Sequence, residues 1–167
     1  VSSWLGNNDA LGAALSGDPG RLTPMAAFTT SLDSLVRAIN TTPAAGNDAV
    51  VLFGVVNPTV VAALQPGAFA FIVKSNPQTA PLLPKNVNAN CSPVTATGQP
   101  NPLAANQVSL QILSSPLPEI SCANTPGAPD FVLTPDESAA ISVRVAEYNQ
   151  AIQARAQANG WIYIDPN

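Results

Sequence analysis

Gly6-Asn7-Asn8-Asp9 follows directly on the apolar run Val1-Ser2-Ser3-Trp4-Leu5, and its residue types suit chemistry at a strand end. A glycine lets backbone and substrate come close, and an asparagine carboxamide donates a hydrogen bond to developing negative charge without titrating. Asn8 is the best candidate donor. The same tetrapeptide, a cluster of turn formers, also reads as an ordinary strand-to-loop turn. The chain contains no histidine, so it holds no Ser-His-Asp or Cys-His couple, no His-ligated zinc and no histidine general base. If the chain belongs to a hydrolase, part of the machinery lies elsewhere.

Two cysteines, Cys91 and Cys122, fall in a Pro- and Asn-rich stretch. They read either as a metal pair or redox site, or as a structural disulfide. The lack of a C-x-x-C spacing and of any other nearby soft ligand favours the disulfide. In the chain-entropy model such a bridge, closing about 32 residues, contributes roughly 3.5 to 4 kcal/mol. A disulfide points to an exported protein, secreted or at the periplasm or cell surface. The remaining acids read as structural: Asp18 and Asp48 as turn or cap residues and Glu137 as a helix cap. Asp165 ends a strand, where it either faces a pocket or braces a loop. No cofactor and no metal are expected.

The elements that must position these residues follow from the hydrophobic pattern. Val1 to Leu5 predicts a buried strand. Thr23 and Pro24 predict a helix start, with Met25, Phe28, Leu32, Leu35, Val36 and Ile39 on one face and a stop at Pro43 to Asn47. Ala49 to Val56 predicts a strand covered on both faces, and strand, helix, strand implies a parallel pair. Phe69 to Val73 predicts either a pairing strand or a pocket shield. Ser75 to Asp130 holds ten prolines, seven asparagines, both cysteines and no aromatic residue, and predicts an irregular insertion pinned by the disulfide, with one short strand within Val108 to Leu113. Thr134, Pro135 and Glu137 form a capping box for a helix whose face is Ile141, Val145, Tyr148 and Ile152 and whose end is Asn159-Gly160. Trp161 to Ile164 predicts the next strand. No internal repeat appears, so residues 1–167 read as one domain interrupted by the 75–130 insertion.

Composition sets the outer bounds. Of 167 residues, 46% are apolar and only 10% charged, so a single core forms under a surface of small neutral residues. Six cations against ten acids give a net charge of −4. Arg21, Arg37, Lys74, Lys85, Arg144 and Arg155 are scattered, so no basic stripe offers itself to nucleic acid. The longest apolar runs fall short of the roughly 20 residues that span a bilayer, so no transmembrane helix is expected.

Trp4-Leu5-Gly6-Asn7-Asn8-Asp9 after an apolar strand resembles the G-x-N-D block of the GDSL or SGNH hydrolases. The downstream order is similar too: a helix, the VVLFGVV strand, an irregular segment, the helix with Tyr148-Asn149, and the strand before Asp165-Pro166-Asn167. The resemblance implies a three-layer α/β/α sandwich of flavodoxin-like order, incomplete here, and ester hydrolysis through an acyl-serine. It also implies Asn8 as oxyanion donor, with Gly6 and Asp9 shaping and bracing its loop. The family's G-D-S and D-x-x-H blocks and its glycine block are absent, and Val55-Val56-Asn57-Pro58-Thr59 lacks the aspartate of a Pro-Asp turn. Leu32-Asp33-Ser34-Leu35 spells part of the nucleophile block but sits inside a predicted helix, so Ser34 is expected to be a helix residue. The chain thus reads as an internal piece of a secreted bacterial esterase or lipase acting on a small-molecule or lipid ester, inactive alone and prone to self-association through an exposed sheet edge. The 75–130 insertion lines an acyl cleft, forms a lid or is a passive flap. The alternative from another class is a non-catalytic exported binding or structural module.

Overall fold

The computed structural model describes residues 1–41 and 49–167 and shows a mixed α/β chain with small sheets. Strand β1 (Ser2–Trp4) leads into helix α1 (Asn7–Ser16), and helix α2 (Met25–Thr41) precedes β2 (Val51–Phe53). Next come β3 (Leu64–Pro66), α3 (Gly67–Ser75), β4 (Asn86–Val87), β5 (Gln107–Ser109), β6 (Glu119–Ile120) and β7 (Val132–Leu133). Helix α4 (Pro135–Ala158) and β8 (Ile162–Ile164) follow. The expected stop at Pro43 to Asn47 and the role of Asp48 lie outside the described residues.

β1, β2 and β8 form a parallel sheet in that order, with Ser3, Leu52 and Tyr163 in one row and Trp4, Phe53 and Ile164 in the next. Side chains alternate across a strand. Leu52, 2% exposed, shares a core with Ala10, Ala13 and Ala14 of α1, Phe28 and Leu32 of α2, and Ile141, Val145, Tyr148 and Ile152 of α4. Small alanines let α1 lie close to its neighbours, and the Phe28 and Tyr148 rings stack at 4.1 Å. The start of α4 is set by the capping box: Thr134 Oγ1 accepts from the Glu137 N–H, and a Glu137 carboxylate oxygen accepts from the Thr134 N–H.

The cover expected on both faces of the β2 run is not what the structure shows. Trp4 is 56% exposed, Ile162 and Ile164 also face solvent, and Val51 and Phe53 are half-buried. The physical reason is that α1, α2 and α4 all contribute to the Leu52 core, leaving the alternate residues on the opposite face without a helix among the described residues. β2 is also shorter than expected: after a last bond from the Gly54 N–H to Ile164 O at 2.9 Å, the backbone from Val55 turns to side-chain partners.

One further correction concerns the middle of the chain. Phe69 to Val73 is helical, within α3, because Ala70 and Phe71 pack on a second core formed by Cys91, Val108, Ile112, Ile120 and Cys122. The strand expected within Val108 to Leu113 is confined to β5, since Ser109 Oγ accepts from the Gln111 N–H and starts a 3-10 turn over Leu110–Ser114. The 75–130 segment has ordered structure of its own: β4 pairs in parallel with β6, and β5 joins β3 and β7 in an antiparallel sheet. Its asparagines do much of the ordering, with Asn88 and Asn101 each capping a 3-10 turn through the N–H two residues on. Cys91 and Cys122 form the expected disulfide, with Cα atoms 5.2 Å apart. No helix among the described residues is long and apolar enough to cross a membrane.

Candidate functional site

Gly6 adopts φ +95°, a left-handed conformation, and a Cβ there would lie 2.6 Å from Val55 Cγ2 and 3.1 Å from Phe28 Cε2. Both the torsion and the space call for glycine. Helix α1 starts at the next residue, so the tetrapeptide is a strand-to-helix turn rather than a strand-to-loop turn. Asn7 turns inward, its Oδ1 accepting from the Val56 N–H at 3.0 Å. Asn8, one position on, is exposed, and its carboxamide makes no hydrogen bond among the described residues. Asp9 stands in the first turn of α1, where negative charge complements the helix dipole. It braces the turn through its backbone: its N–H donates to Gly6 O at 3.0 Å, and its carbonyl accepts from the Thr23 N–H at 3.2 Å. Around these residues opens a cavity of 520 Å³, walled by Trp4, Leu5, Phe28 and Leu32, with Asn8 and Asp9 on its polar side.

The adjoining end of β2 is held by carboxamides. Asn149, buried on α4, accepts from the Val55 N–H through Oδ1 at 2.6 Å and donates from Nδ2 to Val55 O at 3.0 Å. Asn167 adds a second donor to Val55 O at 2.9 Å and accepts from the Asn57 N–H at 2.7 Å. Trp4 Nε1 donates to Gly54 O at 3.0 Å. Gly54 has no room for a side chain, since a Cβ would lie 2.8 Å from both Asn149 Oδ1 and Tyr163 Oη. The backbone from Gly54 to Asn57 is thus fixed by side chains of α1, α4, β1 and the segment after β8. Asn149 carries no function in the sequence reading; the signal that marks it is a polar residue on the apolar face of α4, where burial demands partners.

Asn57, Ser142, Asn149, Tyr163, Asp165 and Asn167, with Val145 and Ala146, line a cavity of 320 Å³. Asp165 does both things open to it: it lines this cavity, and its Oδ1 accepts from the Asn167 backbone N–H at 3.0 Å. Burial, then the charge of Asp165, pushes the Tyr163 hydroxyl pKa up. Ser34 lies on α2, with its Oγ donating to Thr30 O and accepting from Arg37. Its neighbour Asp33 pairs with Arg155 at 2.9 Å, and that hydrogen bond lowers the Asp33 pKa. Asp18 caps a 3-10 turn through the Gly20 N–H, and Glu137 holds its helix cap. The described residues contain no group of three or more acids and cysteines that could hold a metal ion.

Compared with protein-family models, curated proteins and solved structures, the chain matches none. Its chemistry therefore rests on its own geometry. That geometry presents a neutral hydrogen-bond donor, without a hydrogen-bond partner among the described residues, at the carboxyl end of a parallel strand and beside a cavity with apolar lining residues. Such an arrangement can hold an acyl group and stabilise charge on its carbonyl oxygen.

Proposed function

We propose that these residues form the oxyanion side of an SGNH-type ester hydrolase, within an α/β/α sandwich of flavodoxin-like order to which β1, β2 and β8 contribute three parallel strands. The observation that carries this reading is Asn8. Three asparagines near the strand ends, Asn7, Asn149 and Asn167, are committed to backbone groups, and Asn8 alone among these four keeps its amide free, beside a cavity with an apolar wall. In the reaction a serine oxygen bonds to the acyl carbon and the carbonyl electron pair moves onto oxygen. Asn8 Nδ2 donates to that oxyanion; the carbonyl then reforms, and the alcohol leaves with the proton taken from the serine. Water releases the acyl group by the same steps. Gly6 places Asn8, and Asp9 fixes the turn through its backbone. The serine and its base come from polypeptide outside these 167 residues, which contain no histidine. The isolated chain is accordingly inactive. The Cys91–Cys122 disulfide supports an exported enzyme.

The test is Asn8→Ala in a protein carrying the flanking sequence on both sides. Loss of one oxyanion donor lowers kcat by about a hundredfold or more, on the order of 3 kcal/mol. The melting temperature stays put, because an exposed side chain without hydrogen bonds contributes little to stability. An unchanged kcat on a short-chain nitrophenyl ester removes Asn8 from the mechanism. Hydrolysis by the 167-residue chain alone would show that the nucleophile has been misplaced.

A further inference from the structure

Asn8 borders a second cleft of 400 Å³, lined by Leu11, Gly12 and Leu15 of α1, and this cleft has features that the folded core does not require. Gly12 lies in the middle of α1, where glycine is the poorest helix former except proline. Unlike Gly6, it has no positive φ, and a Cβ added to it would meet nothing within 4 Å. The missing side chain therefore serves no packing need, and the exposed glycine leaves open space in the cleft it lines. Opposite stands Phe131, the only non-glycine residue with positive φ among those described, at +67°. Its backbone is pinned there by hydrogen bonds from its N–H to Ser16 O at 2.9 Å and from the Ser109 N–H to its carbonyl at 2.8 Å. Leu11 and Leu15 complete an apolar lining. Exposed Arg21 and Gln111 also line it, and their side chains make no hydrogen bond or ion pair among the described residues. Every other cation among the described residues has a partner: Arg37 with Ser34, Lys74 and Lys85 with carbonyls, Arg144 with Glu147 and Arg155 with Asp33.

We infer that the cleft formed by Leu11, Gly12, Leu15, Arg21, Gln111 and Phe131 is a ligand subsite for a short apolar chain ending in an anionic group, with the anion at Arg21. Its assignment as a subsite rests on the ester-hydrolase reading, since Asn8 joins it to the acyl cavity; an ester lying across Asn8 would place its anion-terminated portion here.

The experiment titrates the 15N-labelled 167-residue chain with hexanoate, hexyl phosphate and hexylammonium, following the amides of Gly12 and Phe131 and the Arg21 side-chain N–H. Saturable shifts at these three positions with hexanoate or hexyl phosphate, and binding at least tenfold weaker with hexylammonium, are expected. Arg21→Gln removes the preference for the anion. Gly12→Leu fills the cleft and abolishes binding while raising the melting temperature, and Gly12→Ala weakens binding in the same direction. Shifts confined to Trp4 and Phe28, equal binding of hexylammonium, or undiminished binding by Gly12→Leu overturns the inference. Hydrolysis takes no part in this readout. No binding at Gly12, with Asn8→Ala still slowing the flanked enzyme, rejects the cleft alone; binding at Gly12 with kcat indifferent to Asn8 rejects the hydrolase reading alone.

Discussion

Replacing Asn149 tests the physical basis of the site's rigidity. Leucine keeps the branched skeleton of asparagine but is bulkier, so Asn149→Leu removes the two hydrogen bonds to Val55 and adds crowding beside Gly54, which makes the hydrogen-bond cost a lower bound. The two losses are unequal. Val55 is fully buried, and its N–H has Asn149 Oδ1 as its partner, so that donor is orphaned. Val55 O retains Asn167 Nδ2. An orphaned buried donor costs about 1–3 kcal/mol and a replaceable hydrogen bond about 0.5–1.5, giving roughly 2–4 kcal/mol in all. For a chain of this size that lowers the melting temperature by roughly 5–15 °C.

Asn149→Asp separates the two hydrogen bonds. The carboxylate still accepts from the Val55 N–H but has no donor for Val55 O and places negative charge against it. The protonated acid restores the donor. Burial and the facing carbonyl favour the neutral form, so the folded-state pKa of this aspartate rises above its unfolded value near 3.9. A raised pKa means that the variant's penalty is absent below the unfolded value and complete above the folded one. Urea unfolding of variant and parent from pH 4 to pH 8 measures this difference. A cost below 1 kcal/mol for Asn149→Leu, or a pH-independent penalty for Asn149→Asp, would refute the claim that this amide clamps the strand end.

Gly6→Ala should cost about 3 kcal/mol in urea unfolding, combining a left-handed torsion worth about 1–2 with crowding against Val55 worth about 1–3; a cost under 1 would mean that the turn relaxes freely. Asp33→Asn should weaken the fold at pH 7 but not at acid pH. Its folded pKa is lowered by Arg155, so the stabilisation is present above the ordinary aspartate pKa and fades as pH falls through the folded value; an equal effect at pH 7 and pH 2.5 would contradict the pairing. The uncovered sheet face, with β1 and β8 as open edges, should drive association of the 167-residue chain. Ile162→Thr with Ile164→Thr should shift sedimentation toward monomer and reduce binding of an apolar dye, and no change in either would locate association elsewhere. Cys91→Ala with Cys122→Ala should lose about 4 kcal/mol and open the second core to protease, since the bridge closes a long loop; a loss below 1 would show that core to be self-sufficient.

What was legible in the sequence depended on whether the signal was local. The start of α4 was fully readable because its capping box joins residues three apart, and the apolar face from Ile141 to Ile152 repeats at helical spacing. Parallel pairing of β1 with β2 followed from strand, helix, strand. Phe69 to Val73 misled because a short apolar run has no periodicity that separates a buried strand from a helix; contact with the disulfide core decided it. The segment from Ser75 to Asp130 reads as an irregular insertion with one short strand, and the rest of its order was hidden because it comes from asparagine caps and two- or three-residue strands, which leave no hydrophobic period. The exposed sheet face was illegible for another reason: VVLFGVV says that a strand is apolar on both sides, not what covers each side.

The two adjacent asparagines show why the site itself was only half readable. Asn7 and Asn8 are chemically identical and differ by one position, so composition and motif cannot divide the labour between them. The helix does. α1 begins at Asn7, and successive residues of a helix are turned by about 100°, so an Asn7 carboxamide directed at the Val56 N–H obliges the Asn8 carboxamide to point elsewhere. What remains for Asn8 is the surface shared by the Phe28–Leu32 cavity and the Gly12 cleft. A donor to a transient charge works best when its backbone is already fixed and no protein acceptor has to be given up at the moment of reaction. Gly6 and Asn7 supply the first condition through the turn and its bond to the end of β2; the unbonded amide of Asn8 supplies the second. On the proposed ester-hydrolase reading, an Asn7→Ala change that leaves Asn8 in place should therefore loosen the turn without removing the donor, lowering both stability and the kcat of the flanked protein where Asn8→Ala lowers kcat alone.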